Sequence, residues 1–112
     1  MNNIAPLRRS DPQHPLTHYV ALLLPTEIGE WRVLFPDVSG CEARGFTVQD
    51  ATYAATAALA RCAAVKGDNL PMPRSLMQIE SDRDWFKSNG IVLNEAVVTM
   101  VPLWPMLGYL QP

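Results

Sequence analysis

Three acidic residues lie close together in the sequence and are the first candidates for catalytic chemistry: Asp37, Glu42 and Asp50. Phosphoryl transfer by two metal ions needs several carboxylates that converge on those ions. Each of the three also has a structural explanation, as a turn residue, an exposed strand residue and a helix cap. The first expected strand carries no carboxylate. The sequence therefore predicts no catalytic metal site and no enzyme.

The histidines and cysteines give no stronger indication of a catalytic or metal-binding site. His14 lies between prolines, His18 opens the first expected strand, and no Cys or His pair has zinc-site spacing. Cys41 falls on the inward face of a strand, where cysteine behaves as a small hydrophobic residue. Cys41 and Cys62 could form one bridge, but free thiols are the expectation for a reducing cytosol. The sequence has no glycine-rich phosphate loop, and we predict no cofactor.

Composition indicates a globular chain. It has 112 residues, of which 48% are hydrophobic and 18% charged, with a net charge of −2. These values fit one domain with a packed core, whereas a general nucleic-acid binder would be basic. No secretory signal is recognisable at the N-terminus, and no apolar run approaches the ~20 residues that cross a bilayer. We therefore expect a cytoplasmic protein.

The domain is expected to begin after a proline-containing N-terminal segment. Residues 1–17 contain three prolines, which predicts an extended or disordered arm, or alternatively an arm that docks a partner. The single domain then covers 18–112. Residues 18–24 are apolar on both faces, which predicts a central strand. Residues 30–35 return antiparallel, and 41–45 alternate as a short third strand.

One long helix is predicted over 48–66, with Gly67 at its end. Its apolar stripe should lie on the sheet and comprises Val48, Ala51, Ala55, Leu59 and Cys62. Its many alanines fit either close packing on the sheet or a subunit contact.

The rest of the domain is predicted from turn and cap signals. Residues 68–76 form a loop, and a short helix begins at Ser81 or Asp82 and ends near Ser88. Residues 96–101 form the last strand, which Pro102 confines to a sheet edge.

The segment between the second strand and the helix has a distinct pattern. Pro36 and Gly40 bracket a turn in which Asp37 can bond backbone N–H groups two residues on. Gly45 ends the third strand. Thr47 is a good N-cap, and Asp50 three residues later resembles a capping box.

This segment resembles the N-terminal domain of the HicB antitoxin family. The resemblance lies in the order of its parts, which are Phe-Pro-Asp, Gly-Cys, a short strand, Gly-x-Thr and a helix. The resemblance covers roughly residues 18–103. The sequence differs from the family pattern at Phe46, where the family usually has a polar or acidic residue, and at Gln49-Asp50, where it usually has an acidic pair. It implies an α+β fold, a truncated ribonuclease H-like domain with a small antiparallel sheet (βββαβ) and one long helix on a face. The motif residues then look architectural: Pro36, Asp37, Gly40, Cys41, Gly45 and Thr47.

The resemblance also implies a function. HicB-family proteins neutralise, by direct contact, a small basic HicA-like toxin that cleaves messenger RNA. The alternative is an orphan oligomeric scaffold or regulator of the same fold without a toxin. The family commonly appends a DNA-binding segment, but the stretch after Val101 has two interior prolines and no basic helix. We therefore expect no autonomous DNA binding.

The end of the chain is apolar and predicts self-association as a dimer or tetramer, because an open strand edge and apolar surface invite pairing. The possible oligomer contacts are Val98, Met100, Trp104, Leu107 and Tyr109.

Overall fold

A four-stranded antiparallel sheet organises residues 17–104, the part of the chain that the computed structural model describes. The strands follow the spatial order β3-β2-β1-β4. Their bounds are Thr17–Pro25 for β1, Trp31–Leu34 for β2, Glu42–Gly45 for β3 and Val97–Leu103 for β4. The expected N-terminal arm lies outside the described residues, except for Thr17.

Strand β1 is central and covered on both faces, as its sequence predicted. Five consecutive residues, Tyr19 to Leu23, are at most 2% exposed. Tyr19, Ala21 and Leu23 pack toward the long helix, while Val20 and Leu22 pack on the opposite face. The sheet therefore separates two apolar clusters.

The long helix α1, Val48–Lys66, covers the first face with the predicted bounds. The Thr47 side chain accepts a hydrogen bond from the Asp50 N–H at 2.9 Å and caps it. Ala51, Ala55 and Leu59 are fully buried on the sheet. Val48, the first residue of α1, is 37% exposed and does not belong to this buried stripe, contrary to the prediction. The alanine-rich face of α1 therefore packs closely on the sheet of its own chain.

Two short helices cover the second face, where the sequence predicted one. Helix α2, Leu76–Glu80, begins in a capping box of Ser75 and Gln78, a signal that the sequence contains and our prediction missed. Its Ile79 is fully buried against Val20 and Leu22. Helix α3, Arg83–Asn89, begins at the predicted cap Asp82. Two 3-10 turns, Gly67–Asn69 and Leu93–Glu95, complete the connections to α2 and β4.

A disulfide joins Cys41 to Cys62, so the expectation of free thiols is wrong in this structure. The two Cα atoms are 6.2 Å apart, within the range that a disulfide spans. Cys41 precedes β3 and is buried, while Cys62 lies one turn beyond Leu59 on α1. The packing of α1 brings the sulfurs together, which a sequence separation of 21 residues could not reveal.

Candidate interaction surfaces

The turn between β2 and β3 contains the first motif residues. Pro36 is buried, and Gly40 adopts φ +82°, a conformation that favours glycine. Two backbone hydrogen bonds close the turn. The Val38 N–H donates to the Phe35 carbonyl oxygen, and the Cys41 N–H donates to the Val38 carbonyl oxygen, both at 3.1 Å. The proposed bond from Asp37 to a backbone N–H two residues on is wrong, since the Asp37 carboxylate accepts hydrogen bonds from Arg74 instead.

An ionic chain of Asp37, Arg74 and Asp82 connects this turn to α3. Asp37 Oδ1 accepts from Arg74 Nε at 2.6 Å, and Oδ2 accepts from the Arg74 backbone N–H at 2.6 Å. Arg74 also donates to Asp82 Oδ2 at 3.0 Å. Asp37 and Arg74 are 37 positions apart in the sequence, so no local pattern could predict their contact. The Asp37 side chain is only 5% exposed, so its charge depends on Arg74 for compensation.

Asp82 has a second role as the cap of α3. Its Oδ1 accepts a hydrogen bond from the Trp85 N–H at 3.1 Å. The hydrogen bond from Arg74, supported by that from Trp85, lowers the pKa of Asp82 below its usual value. The carboxylate is therefore held in its charged form while it fixes the start of α3.

Tyr19 holds the same loop from the other side. Its hydroxyl donates to the Pro71 carbonyl oxygen at 2.5 Å. Burial raises the pKa of Tyr19, and the negative charge of Asp37 raises it further. The loop from α1 to α2 is thus fixed at Pro71 and at Arg74. The polar groups of this arrangement hydrogen-bond to one another, which indicates that their role is to hold the loop in place.

Gly45 and Thr47 determine how the chain passes from β3 into α1. A Cβ atom added to Gly45 would lie 2.7 Å from Ala51 Cα and still closer to the Ala51 nitrogen. The first turn of α1 therefore lies against β3, where only glycine fits. Thr47 follows immediately as the cap.

Within residues 17–104, strand β4 forms an unpaired, apolar edge of the sheet. Val98 and Met100 pair with Leu22 and Val20 of β1, but they remain 36% and 47% exposed. The short helices cover β1 on this face and leave β4 uncovered. Trp104 is half-buried at the end of the strand. Leu107 and Tyr109, also predicted as oligomer contacts, lie outside the described residues.

The opposite edge of the sheet, β3, is protected by charge. Arg32 and Glu42 form an ion pair across β2 and β3 at 3.2 Å, and Arg44 pairs with Glu30 at 3.3 Å. Charged side chains on an edge strand discourage pairing with another chain. The two edges therefore differ, and β4 is the one suited to a further strand.

Two aromatic side chains are also exposed where β3 passes into α1. Phe46 is 69% exposed and Tyr53 is 80% exposed. Large aromatic residues supply much of the binding energy in protein interfaces. Sequence reasoning noted Phe46 only as a departure from the family pattern and did not single out Tyr53.

No cluster of three His, Cys, Asp or Glu side chains within residues 17–104 is arranged to hold a metal ion. Over the same range, no helix combines the length and apolarity that crossing a membrane requires.

The folded chain resembles solved antitoxin structures. A chain of the "HicA3 and HicB3 toxin-antitoxin complex" matches with a TM-score of 0.58 and 24% sequence identity, over 79% of this chain and 99% of that one. The HicB antitoxin of Burkholderia pseudomallei matches with a TM-score of 0.59 and 13% identity, over 77% of this chain. This chain spans 62% of the length of the Burkholderia antitoxin.

These matches define the protein as an α+β domain with a HicB-like fold, as the sequence resemblance implied. At such identities they establish the fold alone. No protein-family model matches the sequence, and no curated protein matches it.

Proposed function

We propose that this protein is an antitoxin-like binding protein that neutralises a small HicA-like, mRNA-cleaving toxin by direct contact. The observation that carries the proposal is the structural similarity to a chain of a HicA3–HicB3 toxin-antitoxin complex, which extends over 79% of this chain. The proposed role is binding without catalysis. The motif residues from Pro36 to Thr47 then serve the architecture of the binding domain.

Charge supports a basic partner. The chain has a net charge of −2, and opposite charges on two partners speed their encounter and disfavour wrong partners. Three of its basic residues, Arg32, Arg44 and Arg74, are engaged in ion pairs within the domain. The proposal accordingly includes no DNA binding by this chain alone. Since the toxin would cleave messenger RNA, the proposed compartment is the cytoplasm.

The exposed aromatic residues provide the sharpest test of a contact surface. The chain would be co-expressed with its neighbouring reading frames, isolated, and examined for a retained small basic protein with ribonuclease activity. We expect that activity to fall stoichiometrically as the chain is added. Replacing both Phe46 and Tyr53 with alanine should weaken the inhibition at least ~10-fold.

Ile28→Ala is the matched control, because Ile28 is 72% exposed in the β1–β2 loop and its loss should leave inhibition unchanged. A retained ribonuclease that stays fully active in the complex would contradict the proposal.

An orphan oligomeric scaffold is the second candidate, and the open apolar edge of β4 favours it. In this reading two copies pair through β4 and bury Val98 and Met100. A clean oligomer that retains no neighbouring gene product in the same isolation would support the scaffold over the antitoxin.

A further inference from the structure

The disulfide borders a surface groove of about 430 Å³ that the proposed function does not use. The groove lies between the β2–β3 turn and the last turns of α1. Its lining residues are Ser39, Gly40, Arg61, Cys62, Val65 and Lys66. The two charged residues among them, Arg61 and Lys66, are both cationic, so the groove favours an anion.

The two cysteines differ in their exposure at this groove. Cys41 is 2% exposed and belongs to the core cluster beneath α1. Cys62 is half-buried and lines the groove. Because exchange proceeds by attack of a thiolate on one sulfur of a disulfide, a small thiol in the groove reaches Cys62 and not Cys41.

The positive charge at the groove stabilises the thiolates that take part in such an exchange. Lys66 lies four residues after Cys62 and thus on the same face of α1, and Arg61 lines the same groove. Positive charge beside a cysteine stabilises its thiolate form. The same charge attracts an incoming thiol that carries carboxylates.

We propose that Cys62 is a site of thiol–disulfide exchange with small anionic thiols, such as carboxylate-bearing thiol peptides. The incoming thiolate bonds to Cys62 Sγ as the Cys41–Cys62 bond breaks. The released electron pair stays on Cys41 Sγ, which takes a proton from water. A second thiolate then attacks the sulfur of the bound thiol, forms the free disulfide of the small thiol, and releases Cys62 as a thiolate.

The surroundings of Cys41 accommodate the reduced product. Its Sγ lies 3.4 Å from the Ala58 carbonyl oxygen, so a protonated Cys41 can donate to that oxygen within the core. Reduction removes the covalent link between the β2–β3 turn and α1. The buried face of α1, with Ala51, Ala55 and Leu59 on the sheet, is held by apolar contacts, so we expect it to remain packed in the reduced state.

The test compares thiols of different charge on the full chain, first oxidised to the bridged form with a mild disulfide reagent. Reduced glutathione (anionic), 2-mercaptoethanol (neutral) and cysteamine (cationic) would be applied at equal thiolate concentration and low salt. Alkylation and mass spectrometry then follow bridge opening. We expect glutathione to open the bridge about tenfold faster than cysteamine, to form its mixed disulfide on Cys62, and to lose this advantage in high salt.

Variants that remove positive charge distinguish an effect of the groove from an effect of the net charge of the protein. The double variant Arg61→Gln/Lys66→Gln keeps both cysteines and should abolish the preference for glutathione. Arg83→Gln/Lys87→Gln makes the same change of charge on α3, across the sheet, and should preserve it. Equal rates for all three thiols, a mixed disulfide on Cys41, or a chain that mild oxidation leaves unbridged would each overturn the proposal. None of these outcomes depends on a toxin partner.

Discussion

At the scale of single residues, neighbouring positions between β2 and α1 contribute very differently to the stability of the domain. Asp37 is nearly buried and is compensated by Arg74, whereas Glu42 forms an ion pair of which both side chains are exposed to solvent. Gly45 accommodates the backbone of α1 at a distance that no Cβ permits. These residues belong to the same short segment of sequence, yet their energetic roles differ because their surroundings differ.

Asp37→Asn should lower the free energy of unfolding by about 2 kcal/mol, because hydrogen bonds to charged groups are worth about 1.5–3 kcal/mol. The isosteric amide keeps one acceptor oxygen, so one of the two Arg74 N–H groups that bond Asp37 would face an NH2 donor instead of an oxygen. Glu42→Gln removes the same charge from the exposed pair and should cost less than about 1 kcal/mol. Urea denaturation measures both variants, and equal losses would refute the importance of the Asp37–Arg74 contact.

Gly45→Ala should destabilise the domain by about 3 kcal/mol, the upper part of the range for overpacking. The obstructing atoms belong to the Ala51 backbone and cannot rotate away. Gly40→Ala is the comparison, because Gly40 has open space around it but a φ of +82°, and its strain should cost about 1 kcal/mol. Thermal unfolding of the two variants would rank them, and a milder effect at Gly45 would contradict the close approach.

At the scale of elements, short helices are fixed by polar contacts at their ends. Helix α3 begins where Asp82 accepts a hydrogen bond from the Trp85 N–H, and Arg74 ties the same carboxylate to the β2–β3 turn. Trp85 and Phe86 then pack edge to face, with ring centroids 5.1 Å apart. The position of α3 on the sheet therefore depends on a charged carboxylate as well as on apolar contact.

This arrangement predicts a dependence of stability on pH. The folded pKa of Asp82 is lowered, so its contribution is fully present above its unfolded pKa of about 3.9 and is lost as the pH falls through the folded pKa. Asp82→Asn retains a capping oxygen but no titrating charge. The melting temperature of the wild type should exceed that of the variant near neutral pH, and the difference should vanish in acid. A difference that does not change with pH would exclude this role.

At the scale of the whole molecule, the sheet is fully covered at its centre and asymmetric at its edges. The β3 edge carries ion pairs, and the β4 edge carries exposed Val98 and Met100. An antiparallel pair of β4 strands related by a two-fold axis would bury the same residues on both copies. Self-association through β4 therefore stays a prediction, and its test is a substitution at this edge.

Met100→Lys should shift the protein toward the monomer and weaken self-association at least ~10-fold, because an edge lysine opposes strand pairing. Ile28→Lys adds the same charge to an exposed apolar residue away from β4 and should leave the assembly intact. Analytical ultracentrifugation over a range of concentrations would distinguish the two variants. An unchanged mass distribution for Met100→Lys would remove β4 from consideration as the interface.

The sequence by itself determined the features that depend on local periodicity and local hydrogen bonds. The apolar run of β1 predicted a central strand, the Thr47 cap and Gly67 bounded α1, and Pro102 placed β4 at an edge. Together with the resemblance of residues 18–103 to the HicB family, these features predicted the fold. The missed helix α2 was also local, since its Ser75–Gln78 capping box is readable in the sequence.

Only the tertiary structure decided which distant residues meet. The Asp37–Arg74 contact and the Cys41–Cys62 bridge arise when α1 and the following loop pack against the sheet. The approach of Ala51 to Gly45 joins residues only six positions apart, but it too depends on the angle at which α1 packs on β3. The exposed edge residues Val98 and Met100 were expected, but their exposure follows from short helices that stop before β4. Local patterns carry no distances between elements, and the chemistry of this domain depends on those distances.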